Sequence, residues 1–353
     1  MYNLKLLLEV LLKMCAKSSE TSEKKTVAQV VIENFLKDVD EKGSMPWQRP
    51  YRRHNAFNYF TKQEYRGINR LILDGGEYMT ANQINEYNKR TGSDYRFQKG
   101  IRWLPVVFFK KEQRSCTLEE IEKIFPGQTP DSKGYFGSDG YWTYWKADSG
   151  MYFKKRNVLR YYMVAERQFF KNSKGEMLPS RIETGEVEIT QSNPQKVFDD
   201  YISRSGVKLE YTLGTPCYIP QLDTVQLNKH TTSEEAWFST AFHELAHSTG
   251  HPLRLNRPLL KSFGSEDYAK EECVAEIAAF LTCVETGITV METSQSKEYE
   301  NNLAYVASWK KRIKDWGKDF VFIVSQADKA YEYIVGDNGR PENVMPIESM
   351  YDE

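Results

Sequence analysis

The sequence predicts an α+β protein in two parts: an α+β N-terminal domain, then a mostly helical domain with a small sheet. Three observations carry that expectation. The length, 353 residues, is about twice the usual domain size. Short β-rich apolar runs alternate with helical patterns in the first half, whereas long helical periodicities dominate the second. The charge also shifts along the chain. Residues 45–114 hold 14 Lys/Arg against 6 Asp/Glu together with 13 aromatic rings, yet the whole chain carries a net charge of only −1. An apolar share of 40% supports ordinary cores and excludes wholesale disorder. No apolar run approaches the ~20 residues of a membrane helix, so no membrane partner is expected.

Residues 1–24 read as an extension, flexible or a single helix; Glu9 and Lys13 interrupt its leucines too early for a signal-peptide core. The 5 cysteines are scattered without a C-x-x-C pair, which points to the reducing cytoplasm. A first domain is expected over 25–171. It opens with a helix from Thr26 to Lys42, stopped by Gly43, and continues with a short helix at Gly67–Leu73. Thr80-Ala81-Asn82-Gln83 has the form of a capping box and starts a helix to about Arg90. Trp103–Phe109 and Val158–Val164 read as strands, and 115–150 as an elaboration made of a short helix at Leu118–Phe125 and Gly/Ser/Tyr/Trp-rich loops.

Residues 172–193 are expected to be the linker, and 194–353 the second domain. That domain begins with a helix at Gln195–Ser205, followed by a strand at Tyr218–Leu227. A capping box at Thr232-Ser233-Glu234-Glu235 starts a helix that Gly250 ends. Further helices are expected at Glu266–Glu285, Tyr299–Trp316 and Asp319–Ile334.

Of only 5 histidines, His243, His247 and His251 fall within nine residues. His243-Glu244-Leu245-Ala246-His247 is an H-E-x-x-H on a predicted helix. Spacing i,i+4 puts both imidazoles on one face, within reach of one Zn2+ per chain, and places Glu244 to act as general base in a metallopeptidase reaction. Zinc is the expected metal, although this ligand type also suits other divalent ions. A catalytic zinc needs a third protein ligand. Position 253 is Leu, so a third histidine at the extended-motif position is disfavoured, and His251 reads as a polar residue past the helix end. The following helix offers Glu271, Glu272 and Glu276. Glu272 is the preferred ligand with Glu276 supporting it, and the reverse assignment stays open.

The basic segment interleaves cations with rings, the composition that tracks phosphates and stacks unpaired bases. Trp47, Arg49, Arg52, Arg53, Tyr59, Tyr65, Arg66, Asn69, Arg70, Lys99, Arg102 and Trp103 are its candidate contacts to single-stranded DNA.

These blocks together resemble ArdC-type antirestriction proteins of plasmids, phages and conjugative elements. Met45-Pro46-Trp47, Asn58 through Tyr65-Arg66-Gly67-Ile68-Asn69, and Lys99-Gly100 carry the N-terminal resemblance. Asp223-Thr224-Val225, Ala241–His251 with Arg254 and Arg257, Glu271-Glu272, Ala275-Glu276-Ile277, Trp309 and Ala327–Tyr333 carry the C-terminal one. The insertion at 115–150 is longer than that pattern, and 1–24 has no counterpart. The resemblance implies a single-stranded-DNA-binding domain joined to a zincin-like metallopeptidase domain. It also implies metal ligands His243, His247 and a downstream glutamate, with Glu244 as general base. The expected partners are single-stranded DNA and a peptide or protein substrate that the sequence leaves unnamed. The alternatives are a DNA-coating protein whose zinc is structural or vestigial, and a replication or primase accessory factor.

Overall fold

The computed structural model describes residues 25–48, 56–127, 134–138, 142–181, 192–229, 233–257, 265–288 and 296–336. Helix α1 (Val27–Lys42) starts where Thr26 and Gln29 cap each other's backbone N–H, and ends on Gly43 at φ 67°. Only glycine takes that left-handed turn without a Cβ penalty. Strand β1 (Ala56–Asn58), α2 (Ile68–Ile72), β2 (Gly76–Met79) and α3 (Ala81–Thr91) follow, with the Thr80/Gln83 box capping α3. Next come β3 (Arg96–Phe97), β4 (Leu104–Cys116), α4 (Leu118–Ile124), β5 (Gly134–Ser138), β6 (Thr143–Lys146), β7 (Tyr152–Glu166) and β8 (Phe170–Lys171).

The main sheet runs β1-β2-β7-β6-β5, with β4 along the other edge of β7. Strands β4 and β7 pair from Leu104↔Val164 to Cys116↔Tyr152, so both extend well past the apolar runs that predicted them. The physical reason is that their outer residues lie on a ribbon half-open to water, where backbone pairing alone holds the strand and no apolar pattern is needed. The elaboration at 115–150 is more ordered than the loops expected there, since β5 and β6 form a hairpin on the edge of β7.

The expected linker also differs over its described residues. Phe170 and Leu178 are fully buried, Tyr59 donates its hydroxyl hydrogen to Pro179 O at 3.0 Å, and Ser180 donates to Glu77 at 2.7 Å. Residues 172–181 therefore pack onto the first half of the chain, and the rest of the predicted linker up to 191 lies outside the described residues.

The second half comprises α5 (Pro194–Ser205), β9 (Lys208–Thr212), β10 (Cys217–Ile219), β11 (Thr224–Asn228), α6 (Glu234–Ser248), α7 (Glu266–Thr286), α8 (Ser296–Trp316) and α9 (Lys318–Val335). Its sheet has the order β10-β11-β9. The strand expected at Tyr218–Leu227 is thus a hairpin turned at Asp223, which takes φ 47°. The helix runs to Ser248, Thr249 caps it with an amide that still donates to Leu245 O, and Gly250 follows as the first residue past the cap, where the sequence put it.

One hydrophobic core crosses both halves. Phe35 of α1 meets Phe320 of α9 with ring centroids 5.2 Å apart, and Trp47 sits edge-on to Trp309 at 5.8 Å. A smaller core gathers Tyr59, Met79, Ile84, Ala165, Phe170 and Leu178 under α3. Among the described residues no helix is long and apolar enough to cross a membrane.

Candidate metal centre

Helix α6 starts at Ser233, which caps the Ala236 amide, and buries Phe238, Ala241, Phe242 and Leu245. One turn separates His243 from His247, so their rings lie together with centroids 4.8 Å apart. Helix α7 packs across α6 and is apolar along most of its length from Cys273 to Cys283. Its carboxylates Glu271, Glu272 and Glu276 come from the half of the helix that meets the imidazoles.

The two imidazole Nε2 atoms approach to 3.2 Å, and Glu272 oxygens lie 3.6 Å from each of them. Tetrahedral ligands held about 2.0–2.1 Å from one ion stand roughly 3.3 Å apart, so these separations fit one divalent ion among three donors. Among the described residues, His243, His247 and Glu272 are the group whose donor atoms converge, within 4.8 Å of one another. Glu276 lies outside that group. Burial raises its pKa above the carboxylate norm, opposed by the charge of His243 and by a hydrogen bond from Tyr305.

The electrostatics favour positive charge at this point. Burial alone would raise Glu272, but the His243 hydrogen bond, the charge of His247 and the Tyr268 hydroxyl hold it down at about 2. Burial pushes His243 down, yet the carboxylates of Glu272, Glu276 and Glu244 outweigh it and its pKa is raised. The carboxylates that favour a proton on His243 also attract a metal cation.

Behind His247, Glu271 faces Nδ1 at 3.4 Å. Arg257 holds Glu271 with two bonds of 2.9 and 2.7 Å, and anchors itself on Thr249 Oγ1 and Ala246 O. A carboxylate on the far ring nitrogen fixes the tautomer that leaves Nε2 free to ligate. The carboxylate behind His247 is Glu271, which the sequence reading does not single out for that place, while the charge of Glu276, the supporter named from the sequence, acts on His243. A readable signal was present: adjacent residues on a helix point about 100° apart, so Glu271 and Glu272 address different sides of one histidine. Tyr268, one turn before Glu272, was also missed; burial and its bond to Glu272 raise its pKa to about 12.

Glu244 is buried, and its charge reaches Cys217 on β10, whose thiol pKa is raised first by burial and then by Glu244. The edge strand of the small sheet therefore runs beside Glu244. Arg254 ties this arrangement together, donating to Asp223 at the hairpin turn, to the Tyr218 hydroxyl at 3.3 Å and to Ser248 O at 2.7 Å. His251 stands 3.9 Å from Asp223 and outside the converging group, and Leu253 is exposed.

The DNA candidates fare differently. Trp47, Tyr59 and Tyr65 are buried, so their faces pack against protein and are closed to bases. Trp47 donates from Nε1 to the Tyr305 hydroxyl at 3.1 Å. Asn69 is buried and holds the Val107 backbone through bonds of 2.9 and 2.8 Å. Arg70 is buried in an ion pair with Asp328 at 2.5 Å and Glu64 at 2.8 Å. Arg66 faces Glu332 at 3.3 Å, and Arg102 faces Glu41 at 2.7 Å. Trp103 packs edge-on to Phe97 and Phe170, and Lys99 is exposed. Arg49, Arg52 and Arg53 lie outside the described residues. Aromatic residues supply the largest apolar area per side chain, which is why a ring-rich segment builds core before it builds a binding face.

Comparison with known proteins agrees with this layout. Residues 25–135 match the family described as the N-terminal domain of anti-restriction factor ArdC, and residues 196–327 match a zincin-like metallopeptidase family. The crystal structure of antirestriction ArdC from plasmid R388, metal-free, shares the fold with TM-score 0.55 and 22% identity over 87% of this chain and 94% of that one. Its Mn(II)-bound form gives TM-score 0.58 and 21% identity over 88% and 97%. The DNA primase TraC of Escherichia coli is 27% identical over 323 residues, and the chain spans 20% of its length. The donor set that converges on one point has the geometry to hold one divalent ion. With one matched domain in each half and the fold shared over 87% of the chain, the chain is an ArdC-type protein, an ArdC N-terminal domain joined to a zincin-like metallopeptidase domain.

Proposed function

We propose that this is a single-stranded-DNA-binding antirestriction protein of a plasmid, phage or related mobile element, acting in the cytoplasm, whose C-terminal domain is a zinc-dependent metallopeptidase. The domain division proposed is 25–171 for DNA, with residues 172–181 packed onto it, and 194–353 for the peptidase. The observation that carries the second half is the convergence of two Nε2 atoms and one carboxylate, backed by Glu271 and Arg257. His243, His247 and Glu272 would hold the metal, which when bound supplies a Lewis acid for a peptide carbonyl. Glu244 takes the proton of the attacking water and returns it to the leaving amine. An extended substrate would add its backbone to β10, the outer strand of its sheet among the described residues.

Elemental analysis of the purified full chain tests the ligand set. One divalent metal is expected in the wild type and none in His247→Ala or Glu272→Ala; full occupancy in Glu272→Ala refutes it. Glu244→Gln is expected to keep the metal and lose peptidase activity. The TraC match supports a second reading, a DNA-coating or primase-accessory protein with a structural or vestigial metal. Undiminished protection of DNA from restriction by Glu244→Gln favours that reading, and lost protection favours proteolysis.

A further inference from the structure

Five of the nine described residues expected to contact DNA are buried, and every aromatic ring among them but Trp103, yet the chain carries a second cationic and aromatic surface. Strands β4 and β7 pair over thirteen positions, roughly 40 Å of ribbon at strand rise. The ribbon is rooted in the core through Val106 and Val164, both fully buried. Its far end is widened by the β5–β6 hairpin. Strands β4, β6 and β7 together hold eight Lys/Arg against only Glu112 and Glu166. Glu112 is occupied by Arg156 at 2.6 Å and Arg160 at 2.9 Å, and Glu166 lies at the opposite end, paired with β2.

Directly paired residues share a face of a sheet. The registers Phe109↔Leu159, Lys111↔Asn157, Gln113↔Lys155 and Trp145↔Phe153 therefore place Phe109, Lys111, Lys155, Trp145 and Phe153 on one side. Phe109 is 54% exposed and Tyr161, on the same side, 41%. The Lys155 ammonium stands 4.7 Å from the centroids of both Trp145 and Phe153, so charge and rings are held together on the surface. The chemistry selects the occupant. A purely apolar face would suit a protein, and cations without rings would suit duplex phosphates. Rings alternating with cations along an open ribbon suit a polyanion whose bases are unpaired and can stack.

We propose that this outer face of the β4–β7–β6 ribbon binds single-stranded DNA, with Phe109 and Trp145 as base platforms and Lys111 and Lys155 along the phosphates. The proposal rests on the single-strand reading above and moves the contact from residues 47–103 to the ribbon and its elaboration.

Fluorescence anisotropy of the full chain with a labelled thymidine oligonucleotide, across a salt titration, tests it. Lys111→Gln/Lys155→Gln is expected to flatten the slope of log affinity against log salt by about 1.4, at ~0.7 per phosphate. Phe109→Ala is expected to weaken binding about tenfold, the loss of one stacked base. Arg66→Gln and Lys99→Gln are expected to bind as wild type. Metal content equal to wild type shows that each variant is folded. If the wild type binds and the ribbon variants bind equally well, the ribbon assignment is overturned and the single-strand reading stands. A wild type that binds no single strand overturns both. Tighter binding to a uridine oligonucleotide of the same length, or equal binding to a DNA duplex, overturns the assignment to single-stranded DNA.

Discussion

Arg70 separates two roles for the basic segment, since its sequence context suggests a phosphate contact and its position makes it a clamp between the halves. Its guanidinium sits 2.5 Å from Asp328 of α9 and 2.8 Å from Glu64, donates to Tyr65 O at 3.2 Å and lies over the Tyr331 ring at 4.9 Å. Arg70→Met keeps most of the volume but strands two carboxylates, and Asp328 is only 7% exposed. Removing one partner of a buried pair costs about 3–5 kcal/mol. Unfolding entropy of ~2.1 cal/mol/K per residue over 353 residues is ~0.7 kcal/mol/K, so Tm should fall by about 4–7 °C. Calorimetry of the full chain measures this. Arg70→Met/Asp328→Leu should recover part of the loss, because one stranded charge goes with its partner. A Tm within about 1 °C of wild type, combined with weaker single-strand binding and a salt slope shallower by about 0.7, would refute the clamp and restore the phosphate contact.

Two further predictions concern the second half. Glu271→Gln should weaken divalent-metal affinity about 10- to 100-fold, because it removes the carboxylate behind His247; competition with a chelator reads this, and wild-type affinity would remove Glu271 from the site. Asp223→Asn should lower stability near neutral pH and not in acid. Burial works to raise the Asp223 pKa, but Arg254 and Tyr218 outweigh it and hold the carboxyl below its ordinary 3.8. A depressed carboxylate pKa stabilises the fold above that ordinary value, and the gain disappears as pH falls through the lower native value. The gap between urea midpoints of wild type and variant should therefore be constant around neutrality and close in acid; a gap unchanged down to about pH 2.5 would contradict the ion pair. Asparagine tolerates the φ of 47° that Asp223 adopts, so the substitution tests charge and leaves the turn intact.

How much could be read beforehand depended on range. Thr26, Gly43, Thr80 and Gly287 mark helix ends by contacts within one turn, and each boundary falls within a residue or two of its reading. Strands β1, β2 and β9 escaped notice because each is at most five residues long and takes its stability from partners distant in sequence. The ends of β4 and β7 escaped for the same reason, their polar outer halves being paired with each other and not buried.

By itself the sequence determined the helix that brings His243 and His247 one turn apart with Glu244 between them, the glutamates on the next helix, and the excess of cations and rings in the first half. These follow from local geometry, since i,i+4 spacing fixes a shared face wherever the helix lies. Only the tertiary structure decided that Glu272 meets both Nε2 atoms while Glu271 meets the back of His247, because that depends on how α7 is rotated and shifted against α6. It also decided that Trp47 faces α8, that Arg70 faces α9 and that Tyr65 is buried beside Tyr78, none of them turned to solvent. A ring or a guanidinium has the same chemistry in a core as on a surface, and burial is settled by the whole chain's packing.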